Sequence, residues 1–334
     1  MKHRAIRTNQ GAVNCIAGLI HRGELSGGQW VEDVEFRLGM LHQQEAVAVS
    51  SGTMALKIAL DAMGVGRDDF VLVPDITFVG CASVVYELGA TPIFADVRTD
   101  TYLLDEENTR TIVANVGPRL KAIIAVRLAG RPLPDWVYRL GVPVLADSAH
   151  SMDAPDPDAR ATIYSFHPSK IVSGIEGGAI LTPVPDLAAE ARKLRQFGWE
   201  PGTRITNRVG YKGNMTNPSA ALIYGNLTRL DATLEARAHV RDQYNQRLGL
   251  DIPTLGMYMV TVADPEGVCR AIPAIRHYPM PLSRQYTGSE LNPNAERVSR
   301  HLISLPFHEW LVDDEIAEVC EATRHQLVNL DAHG

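Results

Sequence analysis

Between residues 46 and 181 the chain alternates short β-prone apolar runs with helix-patterned segments. The runs are AVAVS (46–50), FVLVP (70–74), PIFAD (92–96), KAIIAVRL (121–128), PVLAD (143–147), ATIYSF (161–166) and GGAIL (177–181). Gly, Pro or Asp bounds most of them, and segments such as TMALKIALDAMG lie between. A strand buried on both faces reads as such a continuous run, and joining it to a parallel neighbour takes a crossover, usually helical. The pattern predicts an α/β fold with a seven-stranded, mostly parallel sheet. Only about ten residues separate the last two runs, too few for a crossover. Those two are expected to form an antiparallel hairpin with Lys170 in its loop.

After residue 183 the texture changes. DLAAEARKLRQFG and the stretch from Ala220 to Leu248 carry helical periodicity. The charged run LTRLDATLEARAHVRDQYNQRL predicts a long solvated helix with one apolar stripe. MYMVTVA, AIRHYP and HLISLPF follow, then a final helix from Asp313 to Leu330. This texture predicts a small C-terminal α+β domain (236–334) behind a large α/β domain (1–235), with the boundary inside or just after the long helix. At 334 residues the chain is long enough to bury both cores.

A net charge of −7 leaves no basic surplus to neutralise phosphates, which excludes nonspecific nucleic-acid binding. Cys15, Cys81, Cys269 and Cys320 lie far apart and form no CxxC pair, so neither a disulfide framework nor a metal site is expected. The N-terminal stretch MKHRAIRTNQGAVN has no apolar core of a signal peptide, and no run approaches the roughly 20 apolar residues of a membrane span. A soluble cytoplasmic protein is the expectation.

Three features carry chemistry. In YSFHPSKIVSGIEGGAIL (164–181) a lysine sits between two buried-strand patterns. Desolvating an ammonium is costly, so Lys170 either points into water from an ordinary hairpin or is held there for a purpose. Ser51-Gly52-Thr53, at the junction of a strand and a helix beginning near Met54, offers amides and hydroxyls to a phosphate. An ordinary N-cap is the alternative. Asp147 ends the strand PVLAD, where open α/β sheets bind ligands, with His150 three residues on; here too an N-cap for a following helix is the alternative. Together, a phosphate cradle, a carboxylate and a lysine at strand ends are what pyridoxal 5'-phosphate (PLP) requires.

The stretch SSGTMALKIALDAMGVGRDDFVLVPDITFVG closely resembles the opening of the DegT/DnrJ/EryC1/StrS family of sugar aminotransferases, which have PLP-dependent transferase fold type I. The resemblance continues through GATPIFADV, VRLAGRP, LADSAH, SFHPSK, EGGAIL, VGYKGNMTNPSAALI, RHYPMPL and SRHLISLPFHEWL, from about residue 25 to 325. It implies that Lys170 tethers PLP and moves the proton of the transfer. Gly52, Thr53 and Ser165 would bind the cofactor phosphate, and Asp147 the pyridine nitrogen. His150 would face the ring near its phenolic oxygen, and Phe78 would stack on the ring, its alternative being a core phenylalanine. Asn214 would reach a neighbour's phosphate across a homodimer interface with shared active sites. His277 and Tyr278 would approach a sugar nucleotide.

The implied reaction moves an amino group from an amino acid, glutamate by family analogy, to a nucleotide-linked keto sugar. Asp147…His150 and Tyr211-Lys212-Gly213-Asn214-Met215 resemble the members that act on 4-keto-6-deoxy sugars. A 3-keto sugar nucleotide and another cyclic ketone, such as an aminocyclitol precursor, are the alternatives. Departures from the family pattern are Ala146, Ile175, Phe197, Gly213 and the contracted acidic stretch MDAPDPDA. Lys170 argues against the dehydrating branch, in which histidine replaces it. Intact Lys170, Asp147 and Ser165 argue against a non-catalytic regulatory member.

Overall fold

A computed structural model of the protein describes residues 10–153 and 156–333. Residues 1–9, which carry much of the N-terminal reading, and residues 154–155 of the acidic stretch lie outside the described residues. Two helices, α1 (Gln10–Arg22) and α2 (Gln29–His42), come first. Then follow β1 (Glu45–Val49), α3 (Gly52–Ala62), β2 (Phe70–Pro74), α4 (Gly80–Glu87), β3 (Thr91–Ala95) and α5 (Glu106–Val116). The sheet continues with β4 (Leu120–Val126), β5 (Val144–Asp147), β6 (Ala161–Ser165) and β7 (Gly178–Thr182). Next are α6 (Pro185–Leu194), α7 (Asn217–Leu227), α8 (Leu230–Leu248), β8 (Tyr258–Thr261) and α9 (Pro265–Ala271). The last named elements are α10 (Leu282–Thr287), α11 (Pro293–His301), β9 (Leu302–Leu305) and α12 (Asp313–Arg324).

All seven apolar runs are strands of one sheet, in the order β1-β7-β6-β5-β4-β2-β3. The β2–β3, β2–β4, β4–β5 and β5–β6 pairs are parallel, and β7 runs antiparallel to both β1 and β6. The six parallel strands therefore point their C-terminal ends to one edge. There β7 begins, with Gly178 facing both Val49 and Ser165. Helices cover the sheet: Leu56, Ile58, Ala59 and Leu60 of α3 are buried in the same cluster as Val71, Leu72, Ile123 and Leu145.

Two expectations of helix extent are corrected. The helical stretch from Ala220 to Leu248 is two helices, interrupted where the Thr228 hydroxyl turns back to the Gly225 carbonyl at 2.8 Å. AIRHYP is no strand: Ile275 and Ser304 exchange two backbone hydrogen bonds of 3.0 and 2.9 Å, and prolines at 279 and 281 prevent a longer ladder. The last named α-helix ends at Arg324 rather than Leu330. Beyond it Val328 donates its amide to Thr261 O at 3.0 Å and accepts the Thr261 hydroxyl at 2.7 Å, which holds the chain against β8.

β8 and β9 form a separate antiparallel pair, and Tyr258, Val260, Ile303 and Leu305 pack with Ile316 and Val319 of α12. The boundary expected at residue 235 falls within α8. Leu230 packs with the α2 and α7 side chains, whereas Val240, Tyr244 and Leu248 belong to the β8–β9 cluster. The stripe of α8 is not wholly apolar. Arg237, 5% exposed, pairs with Glu309 at 3.2 Å and donates to Leu255 O and Gly256 O. Among the described residues no helix is long and apolar enough to cross a membrane.

Candidate active site

A cavity of about 380 Å³ opens at the C-terminal edge of the sheet, within the size range of small-molecule sites. Every site residue expected from the sequence except Asn214 lines it.

One end is built from β1, α3 and β7. The Ser51 hydroxyl accepts from Met54 N at 3.1 Å, so the expected cap exists, and α3 starts at Gly52 rather than Met54. The first-turn amides and the positive end of the helix dipole face the same corner as Ser165. A methyl group on Gly52 would lie 2.9 Å from Ser165 Cβ and 3.2 Å from its Oγ. One on Gly178 would lie 2.4 Å from the Ser51 carbonyl. Both glycines are therefore needed for the strand ends to close on this corner.

Asp147, at the end of β5, is 5% exposed. Its Oδ1 accepts from Ala149 N at 3.0 Å and its Oδ2 from the Cys81 thiol at 3.4 Å. Among the described residues no helix lies between β5 and β6 for it to cap. Burial pushes its carboxyl up, opposed by the Ala149 amide, the Lys170 charge and the Cys81 hydrogen bond. Burial also pushes the Cys81 thiol well up, with Asp147 adding to the shift, so the sulfur stays protonated and donates. His150 Nδ1 accepts from Ala129 N at 3.3 Å, which fixes its ring at the cavity wall. Phe78 is 59% exposed and lines the cavity, so it is not a core residue.

Lys170 stands on the loop between β6 and β7, and this loop is anchored on both sides. Lys170 N donates to His167 O at 2.9 Å and Gly174 N to Phe166 O at 2.7 Å. From α7, Ser219 Oγ accepts from Ile175 N and Glu176 N at 3.1 and 3.2 Å and donates to Glu176 O. Asn226 Nδ2 donates to Ser173 O at 2.7 Å. Lys170 also borders a second cavity of about 230 Å³, whose far wall includes Arg237 and Glu309.

Asn214 lies elsewhere. It bridges to Val49 beside the end of β1 and lines a different cavity of about 270 Å³ with Gly28 and Lys212. Its Oδ1 is buried without a hydrogen-bond partner among the described residues. Several lining residues were not expected from the sequence. His167, Ser169 and Glu176 share the Lys170 loop, and Thr77 precedes Phe78, so proximity in the chain could have found them. Met257 comes from a distant segment, and Cys81 lies behind the lining against Asp147; neither carries a sequence signal.

The model of the DegT/DnrJ/EryC1/StrS aminotransferase family matches residues 12–265. The chain belongs to this family. Among relatives of known activity, the dTDP-3-amino-3,4,6-trideoxy-alpha-D-glucose transaminase of Micromonospora megalomicea subsp. nigra is 30% identical over 349 residues, 92% of either chain. A DegT/DnrJ/EryC1/StrS aminotransferase structure from Brucella abortus has a TM-score of 0.87 at 25% identity, with 95% of each chain covered. Bacillus subtilis NtdA with bound cofactor PMP has a TM-score of 0.86 at 21% identity, covering 95% of this chain and 82% of that one. The protein is thus a member of an aminotransferase family, with the family's seven-stranded mixed sheet. The family match ends before His277 and Tyr278, which line the cavity all the same.

Proposed function

We propose that this enzyme transfers an amino group from an amino acid, glutamate, to a nucleotide-linked keto sugar with PLP as cofactor. The observation that carries this reading is the convergence of Lys170, Asp147 and the Gly52–Thr53–Ser165 corner on one cavity. The residues suit the cofactor: a glycine-lined corner at a helix N-terminus for phosphate, a buried carboxylate, an amine and an exposed aromatic face. PMP is bound in the B. subtilis relative, and a sugar substrate is named for the Micromonospora relative.

Bound PLP supplies an electron sink for the substrate carbon. Gly52, Thr53 and Ser165 would hold its phosphate, and Phe78 and His150 would flank its ring. Asp147 keeps the ring nitrogen protonated by charge pairing, which a buried anion does strongly. Lys170 tethers the cofactor. Its Nζ would carry the proton taken from the α-carbon of the donor.

For the acceptor, Asp147…His150 and Tyr211–Met215 support a 4-keto-6-deoxy sugar. The name of the 30%-identical relative supports C3 instead, so two positions compete. The purified enzyme should be offered 4-keto and 3-keto nucleotide sugars with glutamate, and the new amine located by NMR. Amination at C4 is expected. Amination at C3 alone overturns the position, and amination only of an unlinked cyclitol ketone overturns the substrate class.

A homodimer with shared sites belongs to the same proposal. Asn214 presents a buried unpartnered oxygen, and Phe36, Met40, Ile205 and Val209 are largely exposed apolar side chains. Mixing inactive Lys170→Ala with an impaired Asn214→Ala variant should restore about a quarter of the activity, because a heterodimer keeps one intact site and forms half of randomly exchanged pairs. Subunit exchange without recovery would place the Asn214 role, if any, within its own chain.

A further inference from the structure

Two walls of the cavity come from segments distant in sequence. Thr77 and Phe78 follow β2, whereas His277 and Tyr278 precede α10. One residue joins them. Asp75, 1% exposed, lies two and three residues before Thr77 and Phe78. Its carbonyl accepts from Leu282 N at 2.9 Å. Its Oδ1 accepts from Ser283 N at 2.5 Å, and its Oδ2 from Ser283 Oγ at 2.6 Å and Asn292 Nδ2 at 2.7 Å. Ser283 and Asn292 are themselves buried. Between Tyr278 and Leu282 the chain reads Pro-Met-Pro, and each proline fixes a backbone angle. Holding Leu282 therefore holds Tyr278. Asp75 N donates to Ala95 O at 2.9 Å, which ties the junction to the end of β3.

We propose, resting on the nucleotide-sugar reading above, that Asp75 is a positioning residue that fixes the spacing between the Phe78 wall and the His277–Tyr278 wall and so governs binding of the acceptor sugar. Hydrogen bonds to an ionised acceptor are short and strong, and this carboxylate gathers three from the segments that follow the second wall. The Gly52–Ser165 corner, Asp147 and Lys170 stand on α3, β5, β6 and the β6–β7 loop, and the hydrogen bonds of Asp75 go to β3 and the 282–292 segment instead. A nucleotide-linked sugar is bulkier than an amino acid, so the acceptor is the substrate that both walls must grip.

Asp75→Asn keeps the shape but puts a donor where Ser283 and Asn292 also donate. In the holoenzyme, amide hydrogen exchange over 276–288 should accelerate by at least about tenfold while exchange over 166–177 stays unchanged. KM for the sugar nucleotide should rise by about tenfold or more, as expected for lost hydrogen bonds to a charged group, with glutamate KM and PLP affinity within about threefold of wild type. Ser283→Ala removes one of the three side-chain bonds and should move the same quantities less, which keeps the test open if Asp75→Asn does not fold. Equal rises in both KM values, or unchanged exchange over 276–288, would overturn the proposal. If the wild type aminates no nucleotide sugar, the substrate reading falls and takes the sugar-binding role with it. Exchange over 276–288 then decides the junction alone.

Discussion

Lys170→Ala should lower turnover by at least about 10⁴-fold, the upper range for a positioned acid–base group, and here tethering is lost as well. The fold should survive. The loop is held by backbone bonds and by Ser219 and Asn226, none of which uses the lysine side chain. Borohydride reduction of the wild-type protein, followed by peptide mapping, should leave the pyridoxyl mass on Lys170. Two other lysines are useful controls. Lys57 pairs with Glu87 at 2.6 Å and lies over Tyr211, and Lys212 lies over Phe197; neither lines the cavity. Label on either, or on none, would overturn the assignment of Lys170.

Asp147→Asn should cost at least about 100-fold in turnover, the lower end of what removing a preorganised electrostatic partner costs. Stability should move the other way. Burial raises the folded-state carboxyl above its unfolded value. Below the unfolded value both states are protonated and the group is neutral in the balance. As pH rises through the folded value, holding the ionised group in the interior disfavours the native state. At neutral pH, above the ordinary carboxylate range, the cofactor-free protein carries that cost, and the amide removes it. The melting temperature of the cofactor-free Asn variant should therefore equal or exceed that of wild type. Near-normal turnover would mean that another residue holds the ring nitrogen. A large fall in melting temperature would mean that the carboxylate serves the fold.

The parts of this molecule legible in the sequence are those set by local chemistry. Each sheet strand announced itself because burial on both faces demands an unbroken apolar run. The short span from Ser165 to Gly178 forced the antiparallel turn that carries Lys170. Ser51-Gly52 and Asp147 were legible because strand ends in such sheets face ligands. What escaped depends on distant partners. Nothing near Arg237 marks it as buried; it becomes so because Glu309 and two carbonyls arrive from residues far along the chain. The break after Leu227 leaves the helical period intact on both sides, so periodicity could not see it. Cys81 looks like any small apolar residue until the fold sets its sulfur against Asp147.

The reversed direction of β7 has a consequence for how such a scaffold can diversify. Because β7 returns immediately beside β6, the cradle, the carboxylate and the lysine sit on or directly beside strands tied together by main-chain ladders. The outer walls instead meet around a single residue, through the Asp75 carbonyl and its carboxylate with a few donors. On the proposed role of Asp75, substitutions in the 277–292 region reshape what is recognised more than what reacts. On that reading, a duplicated copy of this chain could drift toward a new acceptor while keeping its chemistry.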